Sequence, residues 1–174
     1  MTDMEIKTII LSVYEAIDID VDKTEVEQSI LSTGVSDIFD YEECVRELID
    51  AELLFLSDVD GKVFCGITQK GKETISQLDG VMPAAQRERA VKKAITYFDS
   101  LHTGKFYSVD LEKSGDGYYI IEKYYTKEKV LMETKMYFDD HEKAMECYKT
   151  CELKPEMIYN GLMTIMTGKI NHLI

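Results

Sequence analysis

The segment FDYEECVRELIDAELL, Phe39–Leu54, decides how the first half of the chain is interpreted. Its apolar residues recur at the three- and four-residue spacing of an amphipathic helix, at Tyr41, Cys44, Val45, Leu48 and Ile49. Asp40 and Glu43 have the spacing of a capping box, in which two side chains satisfy exposed backbone amides at a helix start. We therefore predict a helix that begins near Asp40.

Two more helices are predicted before this segment. Residues 4–17, MEIKTIILSVYEAI, place their apolar side chains at helical spacing. The next helix is expected to begin after Asp22, because Thr24 and Glu27 fit a capping box. It is expected to end near Gly34, since glycine is the usual residue just beyond a helix C-terminus.

A hairpin is predicted after the segment. LLFLS and KVFCGIT have the composition of strands, and DVDG between them is typical of a tight turn. Asp60-Gly61 would form that turn, since glycine tolerates positive φ. A fourth helix, QKGKETISQL, follows. Three helices, a hairpin and a further helix predict a winged helix-turn-helix domain over residues 1–80.

The second half of the chain has a different pattern. A long linker helix is predicted within residues 81–104, from Pro83 to about His102. Residues 105–174 contain three strand-like runs separated by SGDG and TKEK, and then two helices, DDHEKAMECYKTCEL and PEMIYNGLMTIMTGK. The predicted class is α+β: a winged-helix domain, a linker helix, and a small antiparallel β-meander with C-terminal helices.

The charge is unevenly distributed. The net charge is −13; residues 1–80 contain 6 Lys and Arg against 19 Asp and Glu, and the remaining residues contain 14 of each. Seven acids and one base, Arg46, lie between Asp37 and Glu52. A DNA-binding surface is usually basic, so this charge opposes binding to nucleic acid. The N-terminus has no basic signal region and no apolar run could span a bilayer, which favours a soluble, cytoplasmic protein.

Motifs for metals, phosphates and catalysis are incomplete. Cys147 and Cys151 share a helix face near His141, but a fourth ligand is missing, so we interpret them as core thiols. The calcium-loop-like start at Asp18 has Lys23 where the loop needs glycine. SGDG lies between strands and is interpreted as a hairpin turn. We expect no metal, no cofactor and no enzymatic activity.

Two segments resemble known bacterial proteins. IFDYEECVRELIDAELL followed by VFCGITQKGKETISQL is similar to the helix–wing–helix core of many bacterial winged-helix proteins. With the linker helix, the strands in DGYYIIEKYYTKEKVLMETKMYF and the helix HEKAMECYK, the chain resembles a family, mostly of Firmicutes, known only as a domain of unknown function. The resemblance implies a winged-helix fold and, by analogy, transcription regulation. This chain departs from it at Glu52, where such segments usually have glycine.

Two functions stay open at this point. The first is a transcription regulator that binds duplex DNA as a homodimer, with a C-terminal domain that dimerises or senses a ligand; the expected contacts are Tyr41, Glu42, Arg46 and Lys62. The second is a protein-interaction module whose acidic third helix binds a basic protein. The linker helix supplies candidate partner-binding residues, Arg87, Arg89, Lys92 and Lys93, which could also pair with the acidic helix. No membrane partner is expected.

Overall fold

A computed structural model describes residues 1–78 and 80–168 of the 174-residue chain. The chain divides into two compact units, Met1–His102 and Thr103–Ile174. In the described residues the protein is of mixed α+β class, with seven helices and two three-stranded antiparallel sheets. None of the described helices has the length and apolar content that a membrane span requires.

The first unit has five helices and one sheet. Its elements are α1 (Asp3–Ile17), β1 (Val21–Asp22), α2 (Lys23–Leu31), α3 (Ile38–Asp50), β2 (Leu54–Val59), β3 (Lys62–Ile67), α4 (Gln69–Ile75) and α5 (Ala84–Thr103). Helix α1 begins with a capping box between Thr2 and Glu5. It buries the apolar face that the sequence predicts, at Ile6, Ile9, Ile10, Val13 and Tyr14.

The predicted N-caps of α2 and α3 are wrong by two and three residues. Asp22, not Thr24, caps α2, and its carboxylate accepts a hydrogen bond from the Thr24 amide at 2.9 Å. Asp37, not Asp40, caps α3 and accepts from the amides of Phe39 and Asp40 at 2.9 Å each. A carboxylate caps as well as a hydroxyl and is also favoured by the positive end of the helix dipole, which accounts for Asp22 at α2. At α3 both candidates are aspartates, and Asp37 has the extended backbone of an N-cap.

The small sheet has the strand order β1-β3-β2. The two-residue strand β1, which the sequence patterns did not predict, pairs Val21 with Cys65 and Asp22 with Phe64. The predicted turn between β2 and β3 is confirmed: Asp60 and Gly61 both have positive φ, 54° and 79°. Two consecutive positive φ angles match the right-handed twist of a hairpin, as in a type I′ turn.

The end of α3 is a Schellman motif built on Glu52. The amide of Leu53 donates to the Leu48 carbonyl at 2.8 Å and the amide of Glu52 to the Ile49 carbonyl at 2.9 Å. Glu52 occupies the left-handed position that follows such a helix end, with φ 60°. Glycine is usual there because a Cβ atom is strained in this conformation.

Helix α4 starts close to that helix end. The Thr68 hydroxyl accepts from the Gly71 amide at 3.0 Å and donates to the Glu52 carbonyl at 2.8 Å. A Cβ atom at Gly71 would collide with the Leu53 carbonyl oxygen. The segment Ile67-Thr68-x-x-Gly71 therefore has a packing role: Thr68 caps α4, and Gly71 leaves room for the neighbouring backbone.

One core joins all parts of the first unit. Helix α5, predicted as a linker, contributes Ala90, Ala94 and Phe98 to the same buried cluster as α1 and α3. These residues follow the helical spacing of one face of α5. Helix α5 thus buries an apolar stripe against the other helices of the first unit.

The second unit is a meander followed by two helices: β4 (Phe106–Ser114), β5 (Gly117–Tyr125), β6 (Val130–Phe138), α6 (His141–Leu153) and α7 (Pro155–Met166). The sheet order β4-β5-β6 is that of consecutive hairpins, and SGDG forms a turn as predicted. Ile120, Ala144 and Cys151 are the buried centre of this unit's core. The predicted last helix extended to Lys169, which lies outside the described residues.

Candidate functional site

The predicted DNA-contact residues do not form one surface. Tyr41 is completely buried, and burial raises the pKa of its phenol well above the ordinary value. The prediction that Tyr41 contacts nucleic acid does not fit this position, because the apolar stripe of α3 carries the ring into the core. Glu42, Arg46 and Lys62 are exposed.

The outer face of α3 is acidic and carries an exposed aromatic ring. Glu42 and Glu43 lie three and four residues after Phe39, and Arg46 lies four and three residues after them. We name these four residues the α3 face. Phe39 is 79% exposed, the largest exposure of any aromatic side chain in the described residues. The sole cation of the face, Arg46, lies 3.5 Å from the Glu43 carboxylate.

A groove runs between this face and the hairpin, with a volume of about 670 Å³. Its apolar wall combines Phe39, Val45 and Ile49 with Leu56 of β2, which is 46% exposed. Its charged lining consists of two acids, Glu42 and Glu43, and two cations, Arg46 and Lys23 of α2. Each cation already lies within 4 Å of a carboxylate of the chain. An apolar groove whose own cations are paired in this way suits an apolar segment that also carries positive charge.

Most cations of the first 78 residues are neutralised within the chain. Five of the six lie within 4 Å of a carboxylate, in the pairs Lys7–Glu47, Lys23–Glu27, Arg46–Glu43, Lys70–Glu52 and Lys72–Asp18. For Lys62, near the hairpin turn, no such partner is found in the described part of the chain. These pairs are mostly at the surface and stabilise the fold little, but each reduces the positive potential available to a phosphate.

The four basic residues of α5 differ in exposure. Lys92 is exposed, whereas Arg87, Arg89 and Lys93 are partly buried and each makes an interaction within the chain. Arg87 and Lys92 line a small groove against α1, together with Glu15 and Glu88. Positive and negative groups alternate there, so this region is not a uniformly basic surface.

The sequence patterns missed a polar cluster in the second unit. Glu122 of β5 is fully buried, and its Oε1 lies 2.5 Å from the Tyr124 hydroxyl. That hydroxyl also lies 2.6 Å from the carbonyl oxygen of Pro155. Glu122 Oε2 and Thr134 Oγ1 are buried without a hydrogen-bond partner. Strand alternation gave a signal, since Glu122 shares its sheet face with Ile120 and Tyr124.

The cysteines of α6 lie beside this cluster. The sulfur atoms of Cys147 and Cys151 are 3.9 Å apart, and Cys151 is buried. Burial raises the pKa of the Cys151 thiol to about 12, so it is protonated at neutral pH. No group of three metal-binding side chains occurs within the described ranges, 1–78 and 80–168.

The chain matches one known protein family over most of its length. The family described as Domain of unknown function (DUF4364) matches residues 6–166 and so extends over both units. The chain belongs to this family. No curated protein and no solved structure is significantly similar to it.

Membership of the DUF4364 family brings no activity or ligand with it. A function for this member must therefore be argued from its own surfaces. The α3 face with its groove and the buried Glu122 cluster are the two features that ordinary packing explains least, because one exposes an aromatic ring and the other buries unpaired polar atoms.

Proposed function

We propose that the first unit is a winged helix whose α3 face binds a basic segment of a partner protein. The winged-helix assignment is supported by the order helix, short strand, two helices and hairpin, and by the sheet order β1-β3-β2. The partner segment is expected to carry Lys or Arg beside an apolar side chain. The observation that carries the proposal is the 79% exposed ring of Phe39 beside the carboxylates of Glu42 and Glu43.

Two physical effects favour such a partner: burial of exposed apolar side chains and electrostatic attraction. An aromatic ring in an otherwise charged surface is a common anchor in protein interfaces, because its burial contributes much of the binding energy. Leu56, Val59 and Val63 of the hairpin add further exposed apolar surface. The carboxylates would steer a basic segment to the groove and repel an acidic one.

The same surface is poorly suited to duplex DNA. Each phosphate contact contributes about 0.9 to the logarithmic salt dependence, and stable complexes make roughly 6–10 such contacts. Arg46 and Lys62 would supply two per chain, and Arg46 already pairs with Glu43. The carboxylates of the α3 face would approach the phosphates with the same sign of charge.

A second candidate is a transcription regulator that binds DNA as a homodimer. It is favoured by the element order, which is that of winged helices that place their third helix in the major groove. Glu42 could accept a hydrogen bond from a cytosine amino group, with Arg46 and Lys62 as the cationic contacts. Dimerisation through the second unit would double those contacts, although it would double the acidic charge as well.

One experiment separates the candidates. The purified full-length chain is panned against a random peptide-display library and, in parallel, against fragmented genomic DNA at about 50 and about 150 mM salt. We expect enriched peptides that combine Lys or Arg with an aromatic or aliphatic residue, and no enriched DNA. Palindromic DNA that stays enriched at the higher salt would instead establish the regulator.

Matched variants locate the contact. Phe39→Ser should remove the peptide enrichment, and the pair Glu42→Gln with Glu43→Gln should weaken it and reduce its salt dependence. Met157→Ser removes an exposed apolar side chain of the second unit and serves as the control. Peptide binding that survives Phe39→Ser would exclude the α3 face as the binding surface.

A further inference from the structure

The second unit contains a cavity between its sheet and its two helices. Its volume is about 650 Å³, within the range of about 300–1,000 Å³ for small-molecule pockets. Its walls are largely apolar and include Met136, Phe138, Ile158 and Leu162. The α6 residues Lys143, Glu146 and Thr150 also line it. Glu122 and Thr134 also line this sheet–helix cavity, and they contribute its unpaired polar atoms.

The hydrogen-bond geometry defines the protonation of Glu122. The Tyr124 hydroxyl has one proton but lies within hydrogen-bond distance of both Glu122 Oε1 and the Pro155 carbonyl oxygen. A carbonyl oxygen can only accept, so Tyr124 donates to Pro155. The contact with Glu122 is satisfied only if the carboxyl group itself donates to the Tyr124 oxygen. This arrangement favours the neutral, protonated form of the Glu122 carboxyl.

Burial agrees with this assignment, because it raises the pKa of the Glu122 carboxyl. The nearby Cys151 thiol lowers the pKa of Glu122, but by less than burial raises it. It makes no hydrogen bond with Oε2. With Oε1 protonated and bonded to Tyr124, Oε2 is a carbonyl-type oxygen that can only accept.

The second buried polar atom without a partner, Thr134 Oγ1, belongs to the strand next to that of Glu122. Glu122 and Thr134 are directly paired residues of β5 and β6, so their side chains project from the same face of the sheet. Thr134 Oγ1 can donate one hydrogen bond and accept up to two, and it has no partner in the described residues. Buried polar atoms without partners are rare in folded proteins, and two on adjacent strands form a polar pair at the floor of an apolar cavity.

We propose that the sheet–helix cavity binds an uncharged, largely apolar small molecule whose polar end donates an O–H or N–H hydrogen bond to Glu122 Oε2 and pairs with the Thr134 hydroxyl. An anionic group placed at Glu122 and Thr134 is disfavoured, because a carboxylate would face an acceptor-only oxygen. Lys143 also lines the cavity, but it is accompanied there by an acid, Glu146. The Cys151 thiol is protonated, so the site binds without providing a nucleophile. This site is independent of the proposed protein-binding surface, which belongs to the first unit.

The test uses para-propylphenol and three matched probes: the methyl ether para-propylanisole, para-propylbenzoate and para-propylbenzylamine. The full-length chain is labelled at its methionine methyl groups and titrated with each probe, and binding is followed at the Met136 resonance. We expect the phenol to bind about tenfold more tightly than the ether, which cannot donate to Glu122. The benzoate should bind more weakly than the phenol.

Variants assign the polar contacts. Thr134→Val should fold normally, because it removes an unpaired hydroxyl, and should weaken phenol binding about tenfold. Glu122→Gln keeps a neutral acceptor and should bind the phenol within about threefold of wild type. Thr164→Val, at a half-buried position of α7 that does not line the cavity, is the control.

Three outcomes would overturn the proposal. They are equal affinities for phenol and ether, tighter binding of the benzoate or the benzylamine than of the phenol, and the absence of any probe-dependent change at Met136. An unchanged phenol affinity in Thr134→Val would exclude the polar pair as the binding group. Since the probes report on the second unit alone, these results are separate from those of the peptide panning.

Discussion

The most informative perturbation is Glu122→Gln, because it keeps the shape of the side chain and removes its proton equilibrium. The amide can donate to the Tyr124 oxygen as the neutral carboxyl does, and its carbonyl replaces Oε2. Wild type and variant should therefore have the same packing. Any difference between them that depends on pH reports the titration of Glu122.

The sign of the effect follows from the direction of the pKa shift. Burial raises the pKa of Glu122 in the folded chain above its ordinary value of 4.5. Below that value both states hold the proton, and the shift has no effect on stability. Above it the unfolded chain releases the proton while the folded chain keeps it. The free energy of unfolding of wild type then falls by up to about 1.4 kcal/mol per pH unit, until the pH reaches the folded-state pKa.

The assay is urea unfolding of wild type and Glu122→Gln, followed by circular dichroism from about pH 5.5 to about pH 8. Lower pH is avoided because the isoelectric point is about 4.6, where the chain has no net charge to keep it soluble. The stability of Glu122→Gln relative to wild type should rise with pH from the lower end of this window and level off once the pH passes the folded-state pKa of Glu122. Glu128→Gln, which removes an exposed carboxyl, should leave the pH dependence of wild type unchanged.

A direct titration completes the comparison. The carboxyl carbon of Glu122, assigned by its loss in Glu122→Gln, should change its chemical shift at a pH clearly above 4.5. Parallel stability curves for the two proteins, or a carboxyl that titrates near its ordinary value, would refute the neutral acid and the proton arrangement around Tyr124.

Three further predictions concern the first unit. Glu52→Gly should stabilise it by about 0.5–1 kcal/mol, because relief of the left-handed strain exceeds the added chain entropy and the loss of an exposed ion pair with Lys70; Glu52→Gln is the control for charge. Gly71→Ala should destabilise it by about 1–3 kcal/mol, because the new Cβ would collide with the Leu53 carbonyl oxygen. Phe39→Ser should change stability by less than about 0.5 kcal/mol, since the ring is exposed. Urea unfolding measures all three, and a large loss with Phe39→Ser would show that the ring packs within the unit.

Local sequence signals were sufficient for the helices and the longer strands of both units, though not for β1. Helix periodicity located α1, α3 and α5, and the Asp60-Gly61 pair located the hairpin turn, because each feature depends on residues within a few positions of one another. The capping positions of α2 and α3 were displaced because more than one polar residue near each helix start can act as a cap, and the choice depends on how the chain enters the helix.

The candidate sites depended on contacts that no local pattern contains. Strand β1 exists only because Val21 and Asp22 meet Cys65 and Phe64, more than forty positions along the chain. Glu42 and Arg46 were predicted as DNA contacts and are exposed. The apolar stripe of α3 already contained Tyr41, but the exposure of Phe39 is set by the tertiary packing of α3.

Glu122 shows most clearly which features follow from the local sequence and which follow from long-range contacts. Strand alternation places Glu122 on the same sheet face as Ile120 and Tyr124, since alternation is a property of the backbone. The covering of this face, and the contact of the Tyr124 hydroxyl with a carbonyl at the start of α7, come from elements that meet only in the folded chain. Burial and proton sharing arise from elements distant in the sequence, so the neutral state of this carboxyl follows from the folded chain and not from the residues around it.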